Sequence, residues 1–222
     1  MWPETEPVML DAHRDGPRGP GRGPSESPAP LPAEVTPPPH RRVQMNGAAV
    51  EEAVERLSRD ISRCHALGAG VVLVGIQTGG VQLARRLATR LGREWRQPVP
   101  VGQIDVAMHR DDLDQRLAPK IHPTAIAFDV SGKEVILVDD VLCSGRTIRA
   151  ALDALLDLGR PRRVELAVLI ERPHREVPIQ ADFVGATLPT RPDDRVDVQL
   201  VEGNGVSQVV VESAPRPAPA TS

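Results

Sequence analysis

Hydrophobic residues follow two distinct periods between residues 46 and 211 of the chain. Continuous apolar runs, rich in β-branched residues, predict buried strands at 71–76, 99–107, 134–138 and 164–170. Apolar residues at helical spacing predict helices at 46–67, 81–91 and 145–158, with Asn46 as the first N-cap, and runs at 196–201 and 206–211 predict a hairpin. Because strands and helices alternate, we predict an α/β fold with a mostly parallel twisted sheet flanked by helices.

Both ends of the chain differ in composition from this central part. Residues 1–43 contain proline and glycine without any hydrophobic period, as in "DGPRGPGRGPSESPAPLP", and residues 213–222 are similar. Such segments bury too little apolar surface to offset the entropy lost on ordering. We therefore expect a disordered leader at 1–43, one folded domain at 44–212 and a disordered tail at 213–222.

Charge and cysteine content exclude several classes of protein. The chain of 222 residues has 27 basic and 30 acidic side chains, a net charge of −3, so nucleic-acid binding would need a local basic patch. Two cysteines, Cys64 and Cys143, do not make a disulfide framework. No apolar run approaches the roughly 20 residues that span a bilayer, and the first residues lack a signal-peptide pattern. We expect a soluble cytoplasmic protein with no membrane partner.

The stretch "VILVDDVLCSGRT" at 135–147 contains the most unusual chemistry of the chain. Two adjacent acids, Asp139 and Asp140, follow a predicted buried strand, although neighbouring carboxylates repel each other and are costly to bury. A short loop then enters a helix, whose first N–H groups form an anion site. Gly145 allows close approach of a phosphate, and Ser144 and Thr147 can donate hydroxyl hydrogen bonds to it. Acids that accept from hydroxyls beside a phosphate loop suit a ribose 5-phosphate.

Three other interpretations of this stretch remain open. An acidic strand of this kind also occurs in phosphate-binding-loop ATPases, but the chain contains no G-x-x-x-x-G-K-[ST] motif. Paired acids could bind a metal, yet Asp111 and Asp112 are the nearest further candidates and no histidine or cysteine lies at ligand spacing, so we assign no metal ligand. The third interpretation is a strand ending in solvated acids before an ordinary helix cap.

The same stretch resembles the phosphoribosyl pyrophosphate (PRPP) signature of type I phosphoribosyltransferases. The segments "VGIQTGGVQLARRLA", "VGQIDVAMHRDDL" and "RTIRAALDALLDLGRPRRVELAVLIERPHREVPIQADFVGATLPT" resemble the PyrR family of pyrimidine-operon regulators, which also have uracil phosphoribosyltransferase activity. The resemblance covers about residues 45–212. It implies a parallel sheet with a small hood, Mg²⁺ bound with PRPP, the ligands uracil, UMP and UTP, a pyr leader mRNA as partner, and a homo-oligomer, dimeric or larger.

The resemblance also implies roles for particular residues. PRPP and UMP would be bound by residues of two loops: Thr78, Gly79, Asp139, Asp140, Val141, Leu142, Cys143, Ser144, Gly145, Arg146 and Thr147. Catalysis would depend on Asp139, Asp140 and Arg110. The base would lie under a hood containing Arg172 and His174, and RNA would meet Arg56, Arg59, Arg63 and Arg175.

The chain departs from the family pattern in places that bear on its activity. Thr78-Gly79-Gly80 stands where the family has Thr-Arg-Gly, so a bidentate anion partner is missing and we expect weak catalysis unless Arg110, Arg116 or Lys120 substitutes. Neutral Gln180 and Ala186 stand where family members carry a base, which predicts weaker RNA binding. A salvage phosphoribosyltransferase without an RNA role is therefore the alternative to a nucleotide-sensing regulator.

Overall fold

The computed structural model describes residues 40–65, 68–106 and 124–213, which form two sheets and their helices. In chain order the elements are β1 (His40–Met45), α1 (Gly47–Cys64), β2 (Val71–Ile76), α2 (Gly79–Trp95), β3 (Val101–Ile104), β4 (Glu134–Leu142), α3 (Arg146–Asp157), β5 (Arg163–Glu171), β6 (Phe183–Thr187), β7 (Arg195–Gln199), α4 (Val201–Asn204) and β8 (Gln208–Ser213). Five parallel strands form the large sheet in the order β3-β2-β4-β5-β6. The small antiparallel sheet has the order β1-β8-β7. The predicted α/β fold is confirmed.

The large sheet is buried on both faces, as its continuous apolar strands predict. Because side chains alternate along a strand, neighbouring residues enter opposite layers of the core. Leu73, Ile136 and Leu169 pack in the layer of α1 and α2, together with Val209 of the small sheet. The alternate strand residues pack in the layer of α3, and they include Val72, Val74, Leu137 and Val168.

Helix α1 begins where its sequence predicts and ends earlier. Asn46 accepts a hydrogen bond from the N–H of Ala49 at 3.0 Å, which caps the helix. The helix ends at Cys64, short of the predicted residue 67, because His65 adopts an extended conformation. The His65 ring is buried between Glu134 and Glu165, with nitrogen–oxygen distances of 2.8 and 2.7 Å. These contacts join the end of α1 to the starts of β4 and β5.

Several predicted boundaries were wrong, each for a local reason. The strand predicted at 134–138 continues through both acids to Leu142, because the backbone ladder with β5 does not depend on side-chain polarity. The strand predicted at 99–107 is shorter, at Val101–Ile104. Strand β1 begins inside the segment assigned to the leader, because it pairs along the small sheet with side chains that are mostly exposed and lack an apolar period. Strand β6 is a short edge strand that the apolar pattern did not predict.

The predicted hairpin near the end of the chain is confirmed as β7 and β8, which pair antiparallel on either side of the short helix α4. The side chain of Arg86 in α2 binds this connection through Glu202, with two nitrogen–oxygen distances of 2.7 and 2.6 Å. It also contacts Glu51 of α1 at 2.7 Å. Among the residues that the structure describes, no helix is both long and apolar enough to cross a bilayer.

Candidate active site

Two helix N-termini lie near the carboxyl ends of the central strands. Helix α2 follows β2 after a two-residue turn, and α3 follows β4 after Gly145. Neither helix has a side-chain cap or an acidic residue in its first turn. Their first N–H groups therefore carry the positive end of the helix dipole toward this edge of the sheet, where anions are favoured.

Asp139 and Asp140 lie between these two helix starts, within β4. Asp139 is buried and stands opposite Val168 in the ladder with β5. Its Oδ1 accepts from the N–H of Asp140 at 2.9 Å, and Oδ1 of Asp140 accepts from the N–H of Val141 at 2.9 Å. Each carboxylate is thus oriented by the backbone N–H of the following residue.

Burial raises the pKa of the Asp140 carboxyl above its ordinary value, and its hydrogen bonds with Asp139 and Val141 only partly oppose that rise. A third carboxylate, Asp197 of β7, also raises the pKa by repulsion. The sequence did not indicate Asp197, because it comes from the small sheet more than 50 positions along the chain. The repulsion between these carboxylates favours a ligand that donates hydrogen bonds or carries positive charge at Asp140.

Three glycines let the first turn of α2 lie directly against the acids. A Cβ at Gly79 would come within 2.1 Å of Oδ2 of Asp140, and one at Gly80 would come within 2.2 Å of the carbonyl oxygen of Val138. A Cβ at Gly75 would in turn meet the backbone of Val81 at 2.5 Å. A side chain at Gly75 or Gly80 would meet backbone atoms and force the start of α2 away from the strands, whereas one at Gly79 would displace the Asp140 side chain. The family resemblance predicted that the loop at 77–80 binds the pyrophosphate of PRPP. In the structure the loop packs closely against β4 because it has no side chains at Gly79 and Gly80.

The phosphate loop, Leu142–Thr147, connects β4 to α3. Gly145 has a φ of 88°, a left-handed conformation that glycine adopts readily, and it starts the helix by accepting from the N–H of Arg149 at 3.0 Å. Ser144 and Thr147 are half-buried, and the N–H of Arg146 lies 3.4 Å from the Ser144 hydroxyl. Arg146 is exposed, and its guanidinium pairs with Glu176 at 2.6 Å. The structure thus brings the predicted phosphate-binding residues together.

The two residues predicted for the base hood are held by the loop that follows β6. Arg172 is buried, and it donates to the Thr190 hydroxyl at 2.8 Å and to the Arg191 carbonyl at 2.9 Å. His174 has a φ of 79°, and its Nε2 lies 2.9 Å from the carbonyl of Thr190. Pro173 and Arg172 also line a cleft of about 700 Å³ at the carboxyl ends of β5 and β6. Arg172 positions the loop around Thr190 through its side chain.

The residues predicted to meet RNA have partners within the chain. On α1, Arg59 pairs with Glu55 at 3.2 Å, Arg63 pairs with Asp60 at 3.6 Å, and Arg56 donates to the carbonyl of Gly185 at 3.2 Å. The helix has three arginines and four acids, a net charge of −1. The fourth predicted residue, Arg175, lies apart from this face, with its guanidinium bound to the phosphate loop.

Some predicted residues lie outside the part of the chain that the structure describes. They are Arg110 and its proposed substitutes Arg116 and Lys120, together with Asp111 and Asp112. Within the described residues, no group of three or more histidine, cysteine or acidic side chains could hold a metal ion.

Comparison with known proteins identifies the family. Residues 45–201 match the phosphoribosyl transferase domain model. The chain is 47% identical over 174 residues to a protein from Syntrophobacter fumaroxidans named "Bifunctional protein PyrR", an alignment covering 78% of this chain and 94% of that protein. A protein of the same name from Chloroflexus aurantiacus is 49% identical over 163 residues, covering 73% and 90%. The chain belongs to the PyrR family of phosphoribosyltransferases. The resemblance found in the sequence is thereby confirmed.

Solved structures agree on the fold at much lower identity. A hypoxanthine phosphoribosyltransferase from Staphylococcus aureus matches with a TM-score of 0.57 at 17% identity, covering 78% of this chain and 91% of that one. The hypoxanthine phosphoribosyltransferase of Trypanosoma cruzi matches with a TM-score of 0.58, also at 17% identity, covering 79% and 97%. This chain thus shares the phosphoribosyltransferase fold.

Proposed function

We propose that this PyrR family member binds PRPP and UMP at the edge formed by β4, α2 and α3, and that it converts uracil and PRPP slowly to UMP and pyrophosphate. The observation that carries the proposal is the pair Asp139 and Asp140, which lies between two uncapped helix N-termini. Such an arrangement suits a ligand with hydroxyls between two phosphate groups.

The chemistry follows from the charges. As pyrophosphate leaves C1 of the ribose, positive charge develops on the ring, and nearby carboxylates stabilise it. Asp139 and Asp140 would accept from the ribose hydroxyls, and the first turn of α3 would bind the 5-phosphate. Phosphoribosyltransferases generally use Mg²⁺ with PRPP, and the donors present fit it, because Mg²⁺ is usually bound by one or two carboxylates plus substrate phosphates. Asp140 is the carboxylate best placed to contact it, since its side chain faces Gly79. The metal would neutralise the charge of the leaving pyrophosphate.

We propose weak catalysis because Gly79 stands where the family has an arginine. The pyrophosphate there would have helix N–H groups as donors without a neighbouring guanidinium, and charge-assisted bidentate contacts are among the stronger hydrogen bonds. Steady-state assays with uracil and PRPP test this, with a PyrR protein whose loop reads Thr-Arg-Gly measured in parallel. We expect a lower kcat in this chain, and equal kcat values would remove the argument.

We further propose that the protein regulates pyrimidine biosynthesis genes by binding a pyr leader mRNA in response to UMP or UTP. Its support is the similarity over most of the chain to proteins named bifunctional PyrR. We also propose that it acts as a homo-oligomer. The alternative is a salvage enzyme without an RNA role, which is favoured by the net negative charge of α1 and by the acidic partners of Arg59 and Arg63.

Titration of labelled leader RNA, at stated salt and with or without UMP, separates these two functions. The regulator binds RNA more tightly when UMP is present, with a salt slope that reports the number of phosphate contacts. Affinity that does not change with UMP would favour the salvage enzyme. Assays with uracil and PRPP on the same preparation, without RNA, show whether the catalytic site is intact in either case.

A further inference from the structure

Three consecutive carbonyls of the phosphate loop point toward the β5–β6 loop, residues 172–182. Two kinds of donor meet them: backbone N–H groups and one guanidinium. The distances are 2.7–3.2 Å, and the pairs are Arg172 N with Leu142 O, Arg175 Nη1 with Cys143 O, and Glu176 N and Val177 N with Ser144 O. The carbonyl side of the phosphate loop is therefore fixed against the β5–β6 loop.

This contact determines where the N–H groups of the phosphate loop point. In a planar trans peptide, the carbonyl of one residue and the N–H of the next point in opposite directions. With the carbonyls of Leu142, Cys143 and Ser144 turned toward the β5–β6 loop, the N–H groups of Cys143, Ser144 and Gly145 turn away from it. Successive N–H groups that face one side of a turn form an anion-binding concavity.

Arg175 is the side chain that makes this arrangement rigid. Its Nε donates to the carbonyl of Ile179 at 3.0 Å, and Nη1 donates to the carbonyls of Cys143 at 2.7 Å and Arg172 at 2.6 Å. Nη2 pairs with the carboxylate of Glu171. Every nitrogen of the guanidinium is thus used, and the group joins the phosphate loop to three points of the β5–β6 region.

The planar shape of arginine matters here. A guanidinium presents five donors in a fixed fork, whereas a lysine ammonium is a single point with flexible donors. Arg175 is about three-quarters buried, since 24% of its side chain is exposed. Gly145 adds close packing, because a Cβ there would come within 2.7 Å of Val177. The two loops are therefore packed as one unit with Arg175 at its centre.

We propose that Arg175 is a positioning residue for the 5-phosphate: it holds the carbonyls of the phosphate loop outward so that the following N–H groups face the phosphate of PRPP and UMP. The inference rests on the proposed function, because it takes the phosphate loop as the 5-phosphate site. It gives Arg175 a role through the loop, in addition to the RNA contact that the family resemblance predicted.

The experiment compares binding of UMP and of uridine, which lacks the phosphate, by calorimetry with the full chain. The variants are Arg175→Met, which removes the fork, and Arg175→Lys, which keeps the charge. Arg41→Met is the matched control, because Arg41 is an exposed arginine of β1 paired with Glu212 at 3.6 Å. Urea unfolding of each variant shows whether it is folded at the temperature of the measurement.

Arg175→Met should weaken UMP binding about 10- to 100-fold and raise KM for PRPP, since it removes the charge-assisted hydrogen bond to the Cys143 carbonyl together with those that fix the guanidinium to Arg172, Ile179 and Glu171. Uridine binding should change less than about threefold, Arg175→Lys should be intermediate, and Arg41→Met should match the wild type. If folded Arg175→Met binds UMP as the wild type does, or loses UMP and uridine equally, the inference is wrong. If the wild type binds neither PRPP nor UMP, the proposed function fails instead.

Discussion

The close approach of α2 to β4 predicts different results for two neighbouring glycine substitutions. In Gly80→Ala, the new Cβ lies 2.2 Å from the backbone oxygen of Val138, which a rotamer change cannot move. Restoring an ordinary contact of about 3.3 Å requires roughly a 1 Å shift of the helix from the strand. A shift of that size beside reacting groups can lower kcat/KM by about 100-fold.

The stability of Gly80→Ala should change much less than its activity. Overpacking costs about 1–3 kcal/mol, and alanine returns up to about 1 kcal/mol of helix propensity in α2. We therefore expect the free energy of unfolding in urea to fall by about 1 kcal/mol. Thr89→Ala, an exposed position of the same helix, should change neither quantity.

Gly79→Ala should act mainly through the Asp140 side chain, because the new Cβ would meet Oδ2 and Cγ of that residue at 2.1 and 2.4 Å, atoms that rotation of the side chain can move, and the Asp140 Cβ at 2.9 Å, which needs only a small shift. Loss of one hydrogen bond to a charged group corresponds to about a 10- to 100-fold loss in UMP affinity. In an Asp140→Ala background, Gly79→Ala should have little further effect, whereas Gly80→Ala should keep its full effect. Two results would refute this reasoning. One is a Gly80→Ala protein with wild-type kcat/KM; the other is an Asp140→Ala background that abolishes the effect of Gly80→Ala but not that of Gly79→Ala.

Three further predictions concern charge. Because burial raises the pKa of Asp140, its ionised form destabilises the fold above that pKa; Asp140→Asn should raise the urea midpoint at pH 8, and the gain should shrink as the pH falls and the wild-type carboxyl takes up a proton. His65→Leu should lower the free energy of unfolding by about 3 kcal/mol, because Oε2 of the buried Glu165 loses its partner while only Oε1 keeps one, Arg163. Adding Glu165→Leu should recover most of that loss in the same urea assay, which a purely steric effect would not do. Glu55→Gln should release Arg59 and tighten RNA binding a few-fold in a filter-binding titration at low salt; unchanged RNA affinity would remove α1 from the RNA surface.

The parts of the fold that the sequence predicted are those set by local periodicity. Apolar runs such as 71–76 and the cap at Asn46 depend on neighbouring residues, so the helices, the buried strands and the hairpin could be found. Strand β1 could not, because its stability comes from pairing with β8, far along the chain. The adjacent acids were found as a site but were placed after the strand, since polarity ends an apolar run without ending a backbone ladder.

The tertiary roles of charged residues were the least predictable part of the site. Arg175 contacts the carbonyl of Cys143 across 32 positions, and Asp197 reaches Asp140 from another sheet. No spacing rule relates such residues. The RNA contact of Arg175 was predicted from the family resemblance, whereas its hydrogen bonds inside the domain appear only in the structure.

In the proposed 5-phosphate site the donors are peptide groups, and this affects how variation in residues 142–147 should be judged. Main-chain N–H groups belong to every residue except proline, so exchanging Cys143 or Ser144 for other small residues leaves the donors in place. Alanine scanning of residues 142–147 would then underestimate the importance of the loop. Sequence drift can accumulate in the loop itself while binding persists, and the positions that tolerate least change are those that hold it from outside.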